Sequence, residues 1–333
     1  MEKKILVTGG AGYVGSGLLR ELLIKGYSVT CVDNLTFGGE SLLDIWHNKN
    51  FNFIKCDNNN KKKIHKILLE NNFNTVIHLA AIVGDPACKL YSALAIKTNW
   101  KSSKWLVEKS KETGVSKFIF ASTCSNYGKM DNSHLYVNEN SKLAPVSLYA
   151  ELKVKFEKYL LYKMKKSKKF SPTVLRFSTV YGVSPRMRFD LTVNEFVKDL
   201  ALKKKLVIFG KNFWRPYCHV KDFSNAFIAI IKSPKNKVAY NVFNVGDTKE
   251  NYTKQMIVDE ILKVLPNSKI KYIKKNEDPR DYRVNFDKIK KELGFKISMR
   301  VPNGIIEIKR MIEEGLIQDP ENQKYYNIPN VKK

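Results

Sequence analysis

The sequence predicts an α/β protein built on a doubly wound parallel sheet, with a smaller C-terminal α/β lobe packed against it. Three observations lead there. Apolar runs without polar alternation recur through the first half, stretches of helical periodicity separate them, and a glycine-rich turn, "VTGGAGYVG", joins the first run to the first helical stretch. Strands buried on both faces of a parallel sheet read as continuous apolar runs, and parallel pairing requires long crossovers between them.

Taken in order, the strand-like runs are "KILVT", "YSVTCV", "FNFIKC", "NTVIHLA", "KFIFAS" and "PTVLRF", with segments such as "GSGLLRELLIK" and "KSSKWLVEKSKETG" between them. After about residue 180 the order breaks into mixed pieces. These are a helix near 191–203, short strands around "LVIFG" and "NVFNV", helices near 252–263 and 301–314, and a basic tail. The reading divides the chain into a sheet domain at 1–180 and a smaller lobe at 181–333, with the chain crossing between the two. There is no repeat, no Pro/Gly/Ser linker and no low-complexity run.

A chain of 333 residues, 43% of them hydrophobic, has the length to bury a large core as one α/β unit or two closely joined ones. Met1 leads straight into a strand-like run, and no window carries 18 uninterrupted apolar residues, so the expectation is a cytoplasmic protein without a membrane segment. Five scattered cysteines, Cys31, Cys56, Cys88, Cys124 and Cys218, lack metal-ligand or disulfide spacing, and neither a metal site nor a disulfide framework is expected. The formal charge of +27 raises nucleic-acid binding as a class. The excess is nearly all Lys, scattered beside abundant Asn, with no basic helix, RNP-like aromatic motif or Arg-rich tail, so a nucleic-acid partner is not expected. Arg is used only nine times, and Arg176, Arg186, Arg188, Arg215, Arg280 and Arg283 fall between 176 and 283. A chain that uses Lys by default keeps Arg where a planar fork is needed, as for a phosphate.

The glycine pattern sits where dinucleotide binding needs it, at a strand-to-helix junction. Gly9 permits the tight turn, Gly12 lets the backbone approach a pyrophosphate, and Gly15 allows close helix packing, while Tyr13 and Val14 open a helix whose free N–H groups and dipole face the phosphates. Asp33 ends the second strand 18 positions after Gly15. A carboxylate there accepts both ribose hydroxyls of adenosine and repels a 2′-phosphate; no Arg stands beside it, so NAD is favoured over NADP. Asn34 accompanies it. Asp57, with Asn58, is placed to reach the adenine edge, or else Asp57 caps the helix "KKKIHKILLE". Leu79, Ala80 and Ala81 end the fourth strand with room for a flat cofactor. This is the Rossmann arrangement. His78 reads as a buried, satisfied histidine.

Downstream, "STCSNYG" ends the fifth strand and "SLYAELKVKFEKYLL" follows, with Tyr149 and Lys153 on one helix face. That pairing suits hydride transfer from an alcohol. A Tyr of ordinary pKa near roughly 10 takes the hydroxyl proton only where positive charge stabilises its phenolate. Lys153 and an oxidised nicotinamide supply that charge, and Thr123 hydrogen-bonds the same hydroxyl.

Together "TGGAGYVG", "VDNL", "HLAA", "STCSNYG", "YAELK", "RFSTVYG", "GKNFWRPYCHVKD" and the late "EDPRDYRV" resemble the extended short-chain dehydrogenase/reductase superfamily, in particular its NAD-dependent nucleotide-sugar epimerase/dehydratase family. The resemblance implies Thr123, Tyr149 and Lys153 as catalytic trio, NAD as cofactor, and a C-terminal lobe that binds a nucleotide-diphosphate sugar. It points to Arg215 and Arg280 as grips on the nucleotide or its diphosphate, and to Asn194 at a phosphate-contacting position. Arg186, Arg188 and Ser125 join the substrate-binding set. By the same resemblance the chain forms a homodimer through helices near 98–112 and 147–165.

Two departures matter. Relatives often carry Asn where this chain has Thr179, which leaves Thr179 as the substrate contact there. Sugar 4,6-dehydratases place an Asp and a Glu after the catalytic Thr, because expelling a hydroxyl needs an acid and C5 deprotonation needs a base. Here the positions hold Cys124 and Ser125, which disfavours dehydration. Cys124 is either a small space-filling thiol or a proton relay; related 3,5-epimerases place such a Cys one position later, at Ser125. The expected activity is oxidation of a nucleotide sugar at C4, as in a 4-epimerase. The alternative is a 4-dehydrogenase releasing a 4-keto hexose or heptose, because "VSPRMRFDLTVNEF" resembles heptose-acting enzymes of surface-polysaccharide pathways. A non-enzymatic NAD-sensing regulator would show a damaged Tyr/Lys pair, and the pair is intact.

Overall fold

The computed structural model describes residues 3–130, 135–273 and 280–328; the basic tail expected at the end of the chain lies outside these residues. Seven parallel strands form the main sheet: β1 (Lys4–Thr8), β2 (Ser28–Asp33), β3 (Phe51–Lys55), β4 (Thr75–His78), β5 (Lys117–Thr123), β6 (Ser171–Phe177) and the later Asn241–Val245. Their spatial order runs from Asn241–Val245 through β6, β5, β4, β1 and β2 to β3. Strands β4 and β6 are buried along their whole length and β1 at all but its first residue, which is why their sequences do not alternate.

Helices cover both faces. On one side α1 (Tyr13–Ile24) packs against the later helix Val220–Lys232, through Leu18, Leu22, Phe223 and Phe227. On the other, α2 (Lys61–Asn71), α3 (Ser103–Glu112) and α4 (Leu148–Lys158) bury Ile64, Leu68, Leu106 and Phe156. Strand order reverses between β1 and β4, so the crevice of a doubly wound sheet opens above their carboxyl ends.

Among the described residues the smaller lobe contains two short sheets. Strand β7 (Thr179–Tyr181) pairs with β9 (Trp214–His219), which also pairs with Asn251–Thr253, while β8 (Leu206–Phe209) pairs with Ile270–Ile273. Around them α5 (Thr192–Ala201), Lys254–Leu262 and Val301–Glu313 enclose Phe196, Val197, Ile257, Ile261, Ile305 and Ile308. Between these pieces the chain crosses back. Helix α6 (Val220–Lys232) lies on α1, and β10 (Asn241–Val245) forms the edge of the main sheet beside β6. A five-residue apolar run such as "NVFNV" carries no mark of which sheet it joins. Lys117 on β5 anchors α6 by donating to the carbonyls of Ile230 and Ile231, each at 2.8 Å, a basic cap on carbonyls that lack helical partners. No helix among the described residues is long and apolar enough to cross a membrane.

Candidate active site

The glycine turn is built by contact. Gly9 has φ +76°, and a Cβ there would lie 2.6 Å from the Ala80 nitrogen; at Gly15 it would lie 2.4 Å from the Gly9 carbonyl. Larger residues are excluded at both. Gly12 meets only the Gly9 oxygen at 3.4 Å and stands at the N-cap of α1 with no side chain capping the helix. Bare backbone and uncapped N–H groups therefore face a cleft of about 390 Å³ lined by Gly9, Gly12, Tyr13, Val14 and Gly15. That arrangement fits a pyrophosphate.

At the end of β2, Asp33 accepts from the Ala11 N–H at 3.0 Å and the Leu35 N–H at 2.8 Å. Burial raises its pKa and these N–H groups oppose the rise. Asp57 accepts from Asn34 at 3.0 Å and from the Asn59 N–H at 2.7 Å. The cap of α2 is Asn60, which accepts from the Lys63 N–H at 3.1 Å; of the two readings of Asp57, the helix cap falls away. Asn34, Asp57, Asn58, Leu79, Ala80 and Ala81 all line the cleft, and among the described residues neither polar atom of the buried Asn58 amide has a hydrogen-bond partner. A purine edge would satisfy it. Arg186, from the smaller lobe, is close enough to Asp33 to interact with its charge, whereas the sequence shows no Arg beside it.

At the other end the cleft is lined by Ser122 and Thr123 from the end of β5 and by Tyr149 and Lys153 from α4. Ser147 caps α4, accepting from the Ala150 N–H, and donates to Asp85 at 2.7 Å. The Lys153 ammonium donates to the Ala121 carbonyl at 2.6 Å and lies 5.7 Å from the centre of the Tyr149 ring. Burial pushes the Lys153 pKa down to about 8 and the Tyr149 phenol up. Burial disfavours the charged form of both groups, and a cationic nicotinamide beside them would favour the phenolate. His78 is structural: its ring bonds Thr8 at 2.7 Å and Ser103 at 2.8 Å, and burial lowers its pKa to about 3.

Behind Thr123 lies a buried polar layer. Arg176, grouped by sequence with phosphate-reading arginines, does not line the cleft; its guanidinium holds Glu157, which also accepts from Ser122 and Asn126. Cys124 is fully enclosed and donates to the Arg176 carbonyl at 3.2 Å. Burial raises its pKa well above that of an ordinary thiol.

Of the expected substrate residues, Arg186 and Arg188 line the cleft, while Ser125, Thr179, Asn194, Arg215 and Arg280 do not. Asn194 is buried, accepting from the Gly182 N–H at 2.9 Å and donating to the Arg188 carbonyl at 2.8 Å. Thr179 sits in β7 opposite Tyr217. Arg215 lies over the Tyr282 ring at 5.4 Å, and Arg280 pairs with Asp85 at 3.1 Å. The Ser125 N–H donates to the Thr123 hydroxyl at 3.1 Å. Sequence reasoning missed Phe37, Ile82, Thr98, Ser178 and Asn327 in the lining. Phe37 and Ile82 follow the ends of β2 and β4, where the crevice rule would find them; nothing in the sequence marks Asn327.

Comparison with known proteins bears on the family and the fold. The family model described as "NAD dependent epimerase/dehydratase family" matches residues 5–246. A UDP-glucuronate 4-epimerase of Thermodesulfobacterium geofontis is 30% identical over 311 residues, covering 90% of this chain and 93% of its own. The crystal structure of a Thermotoga maritima UDP-glucose 4-epimerase with UDP-glucose superposes with a TM-score of 0.80 at 28% identity, covering 94% of this chain and 99% of that one. A Bacillus cereus UDP-glucuronic acid 4-epimerase in complex with UDP-glucuronic acid and NAD gives 0.82 at 26% identity, with 93% and 99% covered.

Proposed function

The chain belongs to the NAD-dependent epimerase/dehydratase family, and from that premise we propose that it is a nucleotide-sugar 4-epimerase. The observation that carries this reading is the meeting of Thr123, Tyr149 and Lys153 at one end of a cleft whose other end has the glycine turn, Asp33 and Asn58. The 4-epimerases among its relatives support it.

NAD, held by the glycine turn, Asp33 and Asn58, would supply the hydride acceptor and donor when bound. The protein moves the proton. Tyr149 takes it from the C4 hydroxyl, Thr123 orients that hydroxyl, and the Lys153 ammonium stabilises the phenolate. If the keto sugar turns over in the cleft, hydride delivered to its other face with the proton returned to O4 by Tyr149 would invert C4. The enclosure of Cys124, and the lack of an acid at Ser125, support leaving dehydration and C3 or C5 chemistry out. Arg215 and Arg280 hold the nucleotide diphosphate in this reading. We further expect a homodimer through 98–112 and 147–165; Tyr162, which is 79% exposed, supplies apolar surface on that side.

The test is to mix purified protein with a panel of UDP- and other nucleotide-linked sugars, follow absorbance near 340 nm, and identify the products. Conversion of one sugar to its C4 epimer with no net NADH is expected. Stoichiometric NADH with a released keto sugar would establish the 4-dehydrogenase, and no conversion of any sugar would end both readings.

A further inference from the structure

The cofactor cleft is not closed by the sheet domain alone. Arg186 lines it from the smaller lobe, 7% exposed, with its guanidinium over the Phe37 ring at 4.3 Å. Its backbone N–H meets the Ser16 hydroxyl at 3.4 Å, and neighbouring Ser184 donates to the Tyr13 carbonyl at 2.6 Å. Arg186 is therefore fixed against the first turns of α1, beside the pyrophosphate cradle.

The guanidinium is held from behind by the chain's last described segment. One Nη donates to the Asn327 side chain at 2.8 Å; the other reaches the carbonyls of Lys324 and Tyr326 at 3.4 and 3.5 Å. The segment is itself tied down. Tyr325 accepts from the Phe189 N–H at 2.9 Å, Lys198 donates to the Tyr326 hydroxyl at 3.0 Å, and the Asn327 N–H donates to Asp190 at 3.3 Å. Nε, by contrast, is buried and has no partner among the described residues. A buried guanidinium with an unused donor in a phosphate-binding cleft calls for an anionic acceptor.

We propose that Arg186 binds a phosphate of the dinucleotide, and that Lys324–Asn327 is a brace that aims it, so that the C-terminal segment governs how tightly the cofactor is retained. Arg186 is the contacting residue and Asn327 the positioning residue. This rests on the cleft being the NAD site.

The test is equilibrium binding of NAD, ADP and adenosine to wild type, Arg186→Gln, Arg186→Lys and Asn327→Ala, with the melting temperature of each cofactor-free protein as a control for folding. Arg186→Gln should weaken NAD and ADP by about tenfold or more, the loss of one charge-assisted hydrogen bond, and leave adenosine unchanged. Arg186→Lys should recover part of the ADP affinity, and Asn327→Ala should weaken NAD by a few-fold. NAD affinity within twofold of wild type in Arg186→Gln, or equal weakening of ADP and adenosine, would overturn the phosphate contact; unchanged NAD affinity in Asn327→Ala would overturn the brace. Failure of wild type to bind NAD would instead strike at the cofactor site itself.

Discussion

Glu157 grips Arg176 with both carboxylate oxygens, at 2.7 and 3.0 Å through Oε2 and 3.2 Å through Oε1, with both side chains about 95% or more buried. Glu157 is one turn beyond Lys153 on α4, and Arg176 lies beside Ser122 on β6. The pair therefore locks α4, which carries Tyr149 and Lys153, to the strand end that carries Thr123.

Removing one member leaves a buried charge without its partner. Glu157→Ala should cost roughly 3–5 kcal/mol of stability, read from urea unfolding. A loss below about 1 kcal/mol would mean that water or rearrangement satisfies Arg176.

Tyr149→Phe removes the phenol proposed to accept the proton and changes little volume. Turnover should fall by roughly 10²–10⁴-fold with NAD affinity unchanged. Activity within tenfold of wild type would remove Tyr149 from the mechanism.

Asp33→Ala should weaken NAD and bring NADP affinity closer to it. The substitution deletes the carboxylate proposed to accept the ribose hydroxyls and repel a 2′-phosphate, while Arg186 remains nearby. Binding constants for the two dinucleotides decide this; an unchanged ratio would place discrimination elsewhere.

His78 gives a pH dependence with a definite sign. Its folded pKa of about 3 lies below the unfolded value of roughly 6.5, so the unfolded state binds the proton first and stability falls as pH drops from about 6.5 toward 3. Its full contribution is present above pH 6.5. Lys153, titrating near 8 when folded, binds its proton in both states below that pH and adds no slope in this window. From pH 7 to pH 5, His78→Gln should lose about 2 kcal/mol less than wild type in urea titrations. Identical pH dependence would show that His78 becomes charged inside the fold.

Cys124→Ala should keep most of the activity, since the thiol is enclosed and its pKa is raised. The readout is turnover together with solvent deuterium at C3 and C5 of the recovered sugar. Deuterium incorporated by wild type and lost in the variant would make Cys124 a proton relay.

The sheet domain was legible in the sequence because its signals are local. Unbroken apolar strands, a glycine turn at a strand-to-helix junction and a Tyr and Lys four residues apart follow from backbone geometry within one or two elements. They brought Gly12, Asp33 and Asn58 to one end of the cleft, and Thr123, Tyr149 and Lys153 to the other, as their positions at strand ends and on one helix face require. What lay beyond local signals was decided by tertiary structure. Whether an arginine pairs or binds a ligand depends on what the fold places opposite it. Arg176 meets Glu157 across β6 and α4, and Arg186 is carried to Asp33 and Phe37 by a lobe that starts some 150 residues later. The same holds for the thiol at Cys124, which only packing enclosed, for "NVFNV", which became the edge of the main sheet, and for Asn327, which reaches the cofactor cleft because the C-terminal segment folds back over α5. Residue type sets what chemistry a side chain can do; long-range contacts, invisible to periodicity and spacing, set which partner it meets.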